Sequence, residues 1–215
     1  MLDRLQQQLE QIYEVETSLQ VSHFLITDPA LAKHYDTSKN PRLTNEKLLV
    51  VHTDDGLDVA LYLDNNIVKH LEQHNPLESL HDGNLHEFWV VLEGISHFIY
   101  LVFNAQYERE ISLFELELQA EVDKFISAIL LFNTQPDRHQ VRRIMTKLFI
   151  KLQFDNALHR DELERYSMAS QYAYRYCEKL LALFTEQRNQ QRLYNEIRRF
   201  YRLTHHYKLK HICNC

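Results

Sequence analysis

Two long apolar segments follow one another between residues 85 and 133, and they constrain the fold more than any other part of the chain. The first, residues 85–105, is apolar on nearly every side, which is typical of a helix at the centre of a fold. Ser112 and Glu115 have the Ser-x-x-Glu spacing of a capping box, which predicts a second helix running to about Phe132. The short polar break between the two segments allows the helices to pack antiparallel.

Glycine and proline are scarce, with 3 Gly and 4 Pro in 215 residues. All-β sandwiches and barrels need turn residues about every 8–12 positions, so this composition disfavours them. Gly56, Gly83 and Gly94 are too far apart to form a glycine-rich phosphate loop. The composition therefore excludes Rossmann-type dinucleotide sites and Walker-type NTPases, and it favours a mainly helical protein.

The remaining apolar pattern predicts further helices and one hairpin. Asp54, Asp55 and Gly56 separate the apolar runs 48–53 and 57–63, and an Asp-Gly turn between such runs predicts an antiparallel β-hairpin. Helical spacing is found over residues 2–20, 64–73, 134–152, 160–186 and 188–204. We therefore expect a mainly α (α+β) fold, a multi-helix bundle of about six helices with one small antiparallel β-hairpin in the N-terminal half.

The chain length fits a single domain over residues 1–215. Within it, we expect an N-terminal α/β subregion, residues 1–82, packed on a helical core, residues 83–204. Residues 205–215 are predicted to form a flexible tail, because chain ends are often poorly ordered.

Charge and cysteine content indicate where the protein works. The net charge of -6 gives the whole molecule no bulk attraction to nucleic acid or to an anionic membrane. Three cysteines do not make a disulfide framework, and the charged, amphipathic N-terminus does not resemble a signal peptide. The longest uncharged apolar run, residues 94–107, is too short and too polar to span a membrane. We expect a cytoplasmic protein.

The two central helices carry polar groups that are unusual in an apolar setting. Glu93 and His97 are one helical turn apart in the first segment, and Glu117 and Glu121 have the same spacing in the second. Helical bundles build carboxylate and imidazole metal sites from facing helices, so these four residues are candidate ligands for a divalent metal. Their spacing differs from the Glu-x-x-His of ferritin-like di-iron proteins. The alternative is a buried structural network in which Lys124 or an arginine pairs with Glu93.

A stretch near the C-terminus is rich in tyrosine and arginine, the residues enriched at binding hot spots. It contains Tyr166, Tyr172, Tyr174, Tyr176, Tyr194 and Tyr201, interleaved with Arg165, Arg175, Arg198 and Arg199. This pattern favours an intracellular, non-enzymatic interaction or regulatory protein that binds a protein partner, or a second copy of itself, through its helical C-terminal region. Aromatic and basic residues also bind RNA, but the net negative charge makes nucleic acid the less favoured partner.

A third hypothesis concerns Arg199 and His205. An arginine followed after five residues by a histidine resembles the catalytic motif of HEPN ribonucleases, which are small helical domains. The resemblance covers these two residues and implies that they are catalytic residues of an RNA-cleaving enzyme. Whether the protein is an enzyme therefore stays open between the interaction hypothesis, a metal-dependent enzyme or sensor, and a HEPN-like ribonuclease.

Overall fold

The computed structural model describes residues 1–38, 42, 44–54, 56–132, 138–150, 159–185 and 190–213. These ranges contain nine α-helices and one small sheet, so the protein is mainly helical, as its sequence predicts. The helices are α1 (Leu2–Tyr13), α2 (Pro29–Tyr35), α3 (Asn65–Gln73), α4 (Leu85–Ala105), α5 (Leu113–Phe132), α6 (Arg138–Met145), α7 (Arg160–Thr185), α8 (Gln190–Arg202) and α9 (His205–Cys213). The strands are β1 (Leu25–Ile26), β2 (Glu46–Thr53) and β3 (Gly56–Leu63).

Side-chain caps fix where several helices begin. Asp64 accepts a hydrogen bond from the backbone N–H of Asn66 at 2.8 Å, which caps α3. At α5, the Glu115 carboxylate accepts from the backbone N–H of Ser112 at 3.1 Å, and Ser112 Oγ accepts from the N–H of Glu115 at 3.2 Å. This reciprocal pair is the capping box that the sequence predicts.

The sheet is larger than the predicted hairpin. Strands β2 and β3 pair antiparallel, with Thr53 opposite Gly56 and Leu48 opposite Leu61. Strand β1 adds a third member on the other side of β3, and it runs parallel to β3. The prediction of a lone antiparallel hairpin was therefore incomplete, because a strand of two residues is too short to show a period. Gly56 has a φ of 145°, a conformation that favours glycine.

The predicted number of about six helices was too low, and residues 205–213 of the predicted flexible tail form a helix. Short helices such as α2 and α9 contain too few apolar positions to show a helical period. Residues 205–213 form α9, and the side chains of Lys208 and Ile212 are buried. A buried lysine gives no apolar signal in the sequence, which is why the helix was not predicted.

Helix α4 lies at the centre of the molecule. It packs against α1, α3 and α5 and against strands β2 and β3, while α5 packs on α7. One set of buried apolar side chains extends from Leu2 in α1 to Ile212 in α9. By length and composition α4 could span a membrane, but 67% of its apolar window is buried inside the protein. This is compatible with a soluble protein.

Candidate functional site

Three of the four predicted metal ligands lie together between α4 and α5. Glu93 and His97 occupy successive turns of α4, and Glu117 faces them from α5. Each offers one ligand atom, and these atoms all lie within 4.8 Å of one another. The side chains of His97 and Glu117 are only 8% and 9% exposed. The fourth predicted ligand, Glu121, pairs with Lys124 instead.

Strand β2 closes one side of this cluster with a residue that was not among the predicted ligands. Glu46, the first residue of β2, places its Oε1 3.3 Å from His97 Nδ1. Gly94 makes this approach possible, because a Cβ there would lie 2.8 Å from Glu46 Cγ and 2.7 Å from Leu61 Cδ1. The absence of a side chain on α4 therefore lets the sheet pack close enough for Glu46 to contact His97.

The other ring nitrogen of His97 is left without a hydrogen bond. Nε2 lies 3.5 Å from Glu117 Oε2, and it has no hydrogen-bond partner among the described residues. Buried Glu121 Oε2 and Arg165 Nε likewise have no hydrogen-bond partner within the described ranges. Since most buried polar atoms in proteins are hydrogen-bonded, this network is incomplete as it stands.

Two cations hold the carboxylates from the other side. Lys124 Nζ lies 2.9 Å from Glu93 Oε2 and also contacts Glu121 Oε1. Arg165 Nε, from α7, lies 3.7 Å from Glu117 Oε1. The pairing of Glu93 with Lys124 was the structural alternative to a metal site, and it is present. The cluster thus contains both an ion-pair network and an incompletely bonded histidine.

Burial and charge shift the pKa values of these groups in different directions. Burial by itself lowers the pKa of His97, but the carboxylates of Glu46 and Glu117 outweigh it and hold this pKa well above its ordinary value. Burial raises the pKa of Glu46, and His97 offsets only part of the rise. Burial opposes ionisation of Glu93 as well, but Lys124 and His97 together hold its pKa below the ordinary value. Burial also raises the pKa of Glu121, despite Lys124.

A second buried polar network lies on another face of α5 and was not predicted. Asp123 accepts hydrogen bonds from Ser96 Oγ at 2.6 Å, from Gln119 Nε2 at 2.8 Å and from the hydroxyl of Tyr13. Lys208 Nζ, from α9, donates to Gln119 Oε1 at 2.5 Å. Burial raises the pKa of Asp123 to about 6 and lowers that of Lys208 to about 7. This network joins α1, α4, α5 and α9.

The residues of the HEPN-like motif lie at the surface or near it. Arg199 is exposed on α8. His205 begins α9, where its Nδ1 lies 3.0 Å from Ser112 Oγ and its ring centroid lies 5.0 Å from that of Phe114. These contacts join the start of α9 to the start of α5, and the ribonuclease hypothesis stays a prediction.

Several members of the tyrosine and arginine stretch are used inside the protein. Tyr176 and Tyr201 are buried. Arg198 Nε donates to the carbonyl oxygen of Ile12 at 2.9 Å, and Arg202, which follows the stretch on α8, donates to that of Tyr13 at 2.9 Å. These arginines therefore cap the C-terminal end of α1. The protein-partner hypothesis stays a prediction that would have to rest on the remaining, more exposed residues.

Sequence reasoning missed Glu46 because nothing in its local sequence distinguishes it from any charged residue at the start of a strand. Arg165 was assigned to the tyrosine and arginine stretch, and its contact with Glu117 depends on how α7 packs on α5. No family model matches this chain, and no curated protein or solved structure matches it either. The role of the cluster must therefore follow from its own geometry and charge.

Proposed function

We propose that the protein binds one divalent metal ion through Glu93, His97 and Glu117 and acts as a metal-responsive sensor or regulator. The observation that carries this proposal is the buried His97 Nε2, which faces Glu117 without a hydrogen bond while Glu46 holds the opposite ring nitrogen. Metal-binding histidines characteristically donate their second N–H to a carboxylate, which fixes the tautomer and the ring orientation. Glu46 is placed for that orienting role.

The charge of the cluster supports a divalent cation. A bound metal ion would replace the proton that the raised pKa of His97 otherwise keeps on the ring, so the metal-bound cluster would combine a neutral imidazole with the carboxylates of Glu46, Glu93, Glu117 and Glu121. Among the described residues in contact with them, Lys124 and Arg165 supply two fixed positive charges. In the metal-free protein, protonated His97 offsets one of the two negative charges that remain; once a metal ion has displaced that proton, both would be uncompensated in a buried region, where such charge is costly. A divalent ion at His97 would offset both.

The ligand types indicate which ions the site would take. A single imidazole with carboxylates suits Zn²⁺, Mn²⁺ or Fe²⁺, whereas Mg²⁺ and Ca²⁺ prefer all-oxygen sites. Metal–ligand bonds of about 2.0–2.2 Å place two ligand atoms at most about 4.4 Å apart. The ligand atoms of Glu93, His97 and Glu117 lie within 4.8 Å of one another, so small side-chain rotations would close the site.

Burial favours a sensing role over catalysis. The side chains of His97 and Glu117 are less than a tenth exposed, which leaves little room for a substrate beside the ion. The ligands and their supports come from β2, α4, α5 and α7. An ion bound there would tie the sheet and α7 to the central helices, so metal binding would be coupled to the stability of the fold.

Isothermal titration of metal-free protein with Zn²⁺ or Mn²⁺ tests the proposal. The native protein should bind one equivalent, and His97→Gln should weaken binding by at least about 100-fold. Losing a residue that only supports a metal ligand costs about 10- to 100-fold in affinity, so losing the ligand itself should cost at least as much. His86→Gln is the matched control, because His86 lies on the same helix but is exposed and outside the ligand group. Equal affinity in the native protein and in His97→Gln, or no binding by the native protein, would refute the assignment.

A further inference from the structure

Glu93 pairs with Lys124 and also belongs to the proposed ligand group, and this double role bears on how metal binding is controlled. One oxygen of its carboxylate, Oε2, lies 2.9 Å from Lys124 Nζ. The same side chain offers a ligand atom within 4.8 Å of those of His97 and Glu117. Any ion bound by His97 and Glu117 would therefore share Glu93 with Lys124.

The position of Lys124 Nζ resembles that of a bound cation. The ammonium group contacts carboxylate oxygens of both Glu93 and Glu121, from different helices, and the lysine side chain is only 8% exposed. Glu121 Oε2 is buried and has no hydrogen-bond partner within the described part of the chain. Two-metal sites in helical bundles contain carboxylates from facing helices, and one carboxylate is shared between the two cations. Lys124 and the proposed metal ion would share Glu93 in the same way.

We infer that Lys124 is a resident cation that occupies a second cation position and competes with the metal ion for Glu93. This inference rests on the proposed metal-binding function. The fixed charge of Lys124 limits the site to one metal ion, and it weakens the binding of that ion by repulsion and by holding Glu93. Binding is thereby kept reversible, which a sensor requires.

Metal titration of Lys124 variants tests the inference. Lys124→Met should bind Zn²⁺ or Mn²⁺ at least about tenfold more tightly than the native protein, because one nearby positive charge is removed. Binding of a second equivalent by this variant would also support a second cation position. Lys124→Arg keeps the positive charge and is the matched control, so it should not bind the metal ion more tightly than the native protein does.

A second variant covers the case in which Lys124→Met does not fold, since it leaves two buried carboxylates without their cation. Lys124→Met combined with Glu121→Gln removes one positive and one negative charge, so the net charge of the cluster is unchanged. Glu93 is still released from Lys124, and tighter metal binding is again expected. Affinity that is unchanged or weaker in this double variant would overturn the inference.

The outcomes separate this inference from the function on which it rests. If the native protein binds metal and loses it in His97→Gln, but no Lys124 variant binds more tightly, only the role of Lys124 is refuted. If neither the native protein nor any variant binds metal, the proposed function itself is refuted.

Discussion

Replacing Lys208 by methionine should stabilise the protein at neutral pH. Lys208 is fully buried on α9, and its ammonium group donates to Gln119 Oε1 while the rings of Tyr100 and Phe200 lie 4.6 and 4.8 Å away. Burial lowers its pKa from 10.5 to about 7. Methionine has a similar length and no charge, so it would fill the same space without the cost of desolvating an ammonium group.

The size of the effect follows from this change in pKa. Each pKa unit corresponds to about 1.4 kcal/mol, so burying Lys208 costs about 4–5 kcal/mol at pH 7. Methionine would leave Gln119 Oε1 without its donor, which costs about 1–3 kcal/mol. The expected net gain in the free energy of unfolding is therefore about 1–4 kcal/mol at pH 7.

The pH dependence has a definite sign. Because the pKa of Lys208 is lower in the folded state, the unfolded chain binds more protons between pH 7 and 10.5. The stability of the native protein should rise through this range by up to about 1.4 kcal/mol per pH unit from this residue, and the methionine variant should lack that contribution. The advantage of Lys208→Met should therefore shrink as the pH rises.

Urea denaturation of the native protein and Lys208→Met at pH 7, 8 and 9 measures this difference. Lys210→Met, an exposed lysine on the same helix, is the control and should change stability by no more than about 0.5 kcal/mol. The reasoning fails if Lys208→Met is less stable than the native protein at pH 7 and the difference does not vary with pH. That result would mean that Lys208 is a well-compensated cation in the folded protein.

Two further substitutions test the packing of the sheet and the second polar network. Gly94→Ala should destabilise the protein by about 1 kcal/mol, as measured by urea denaturation. The added Cβ would crowd buried Leu61 and Glu46, and this cost outweighs the gain in helix propensity. Gly83→Ala, which lies outside the helices, is the control and should be nearly neutral. The pKa of Asp123 is raised to about 6, so its ionisation is costly in the folded state. The native protein should therefore lose up to about 3 kcal/mol of stability as the pH rises from 4 to 6, and Asp123→Asn should abolish this loss. Identical pH profiles for the native protein and Asp123→Asn would contradict that account.

The parts of the structure that sequence could predict depend on local spacing. Glu93 and His97 are one turn apart, so they share a face wherever α4 packs, and the capping box at Ser112 sets where α5 begins. A short connection then makes α4 and α5 neighbours. These three facts together bring Glu117 to the same place as Glu93 and His97, and all of them can be read from residues 85–121.

The remaining contacts depend on long-range packing and could not be predicted. Glu46 lies 51 positions before His97, and the two meet only because the sheet packs onto α4 where Gly94 has no side chain. Lys208 lies 89 positions after Gln119, in a segment whose charged and histidine-rich composition is typical of a solvated tail. Neither pairing has a periodic pattern, so neither leaves a signal in a single sequence.

The two buried networks of α5 differ in a way that bears on function. In the network around Asp123, the charged and amide groups have hydrogen-bond partners. Near it, the hydroxyls of Tyr100 and Tyr201 have no hydrogen-bond partner among the described residues. In the cluster around His97, the atoms without a hydrogen bond among the described residues belong instead to an imidazole, a carboxylate and a guanidinium, although the imidazole and the guanidinium lie 3.5 and 3.7 Å from oxygens of Glu117. Burying a neutral hydroxyl without a hydrogen bond costs far less free energy than burying an ionisable group without one. The first network is therefore satisfied by its own hydrogen bonds, whereas the second keeps ionisable atoms without one, and that difference is the reason why we propose a metal site at His97 rather than at Asp123.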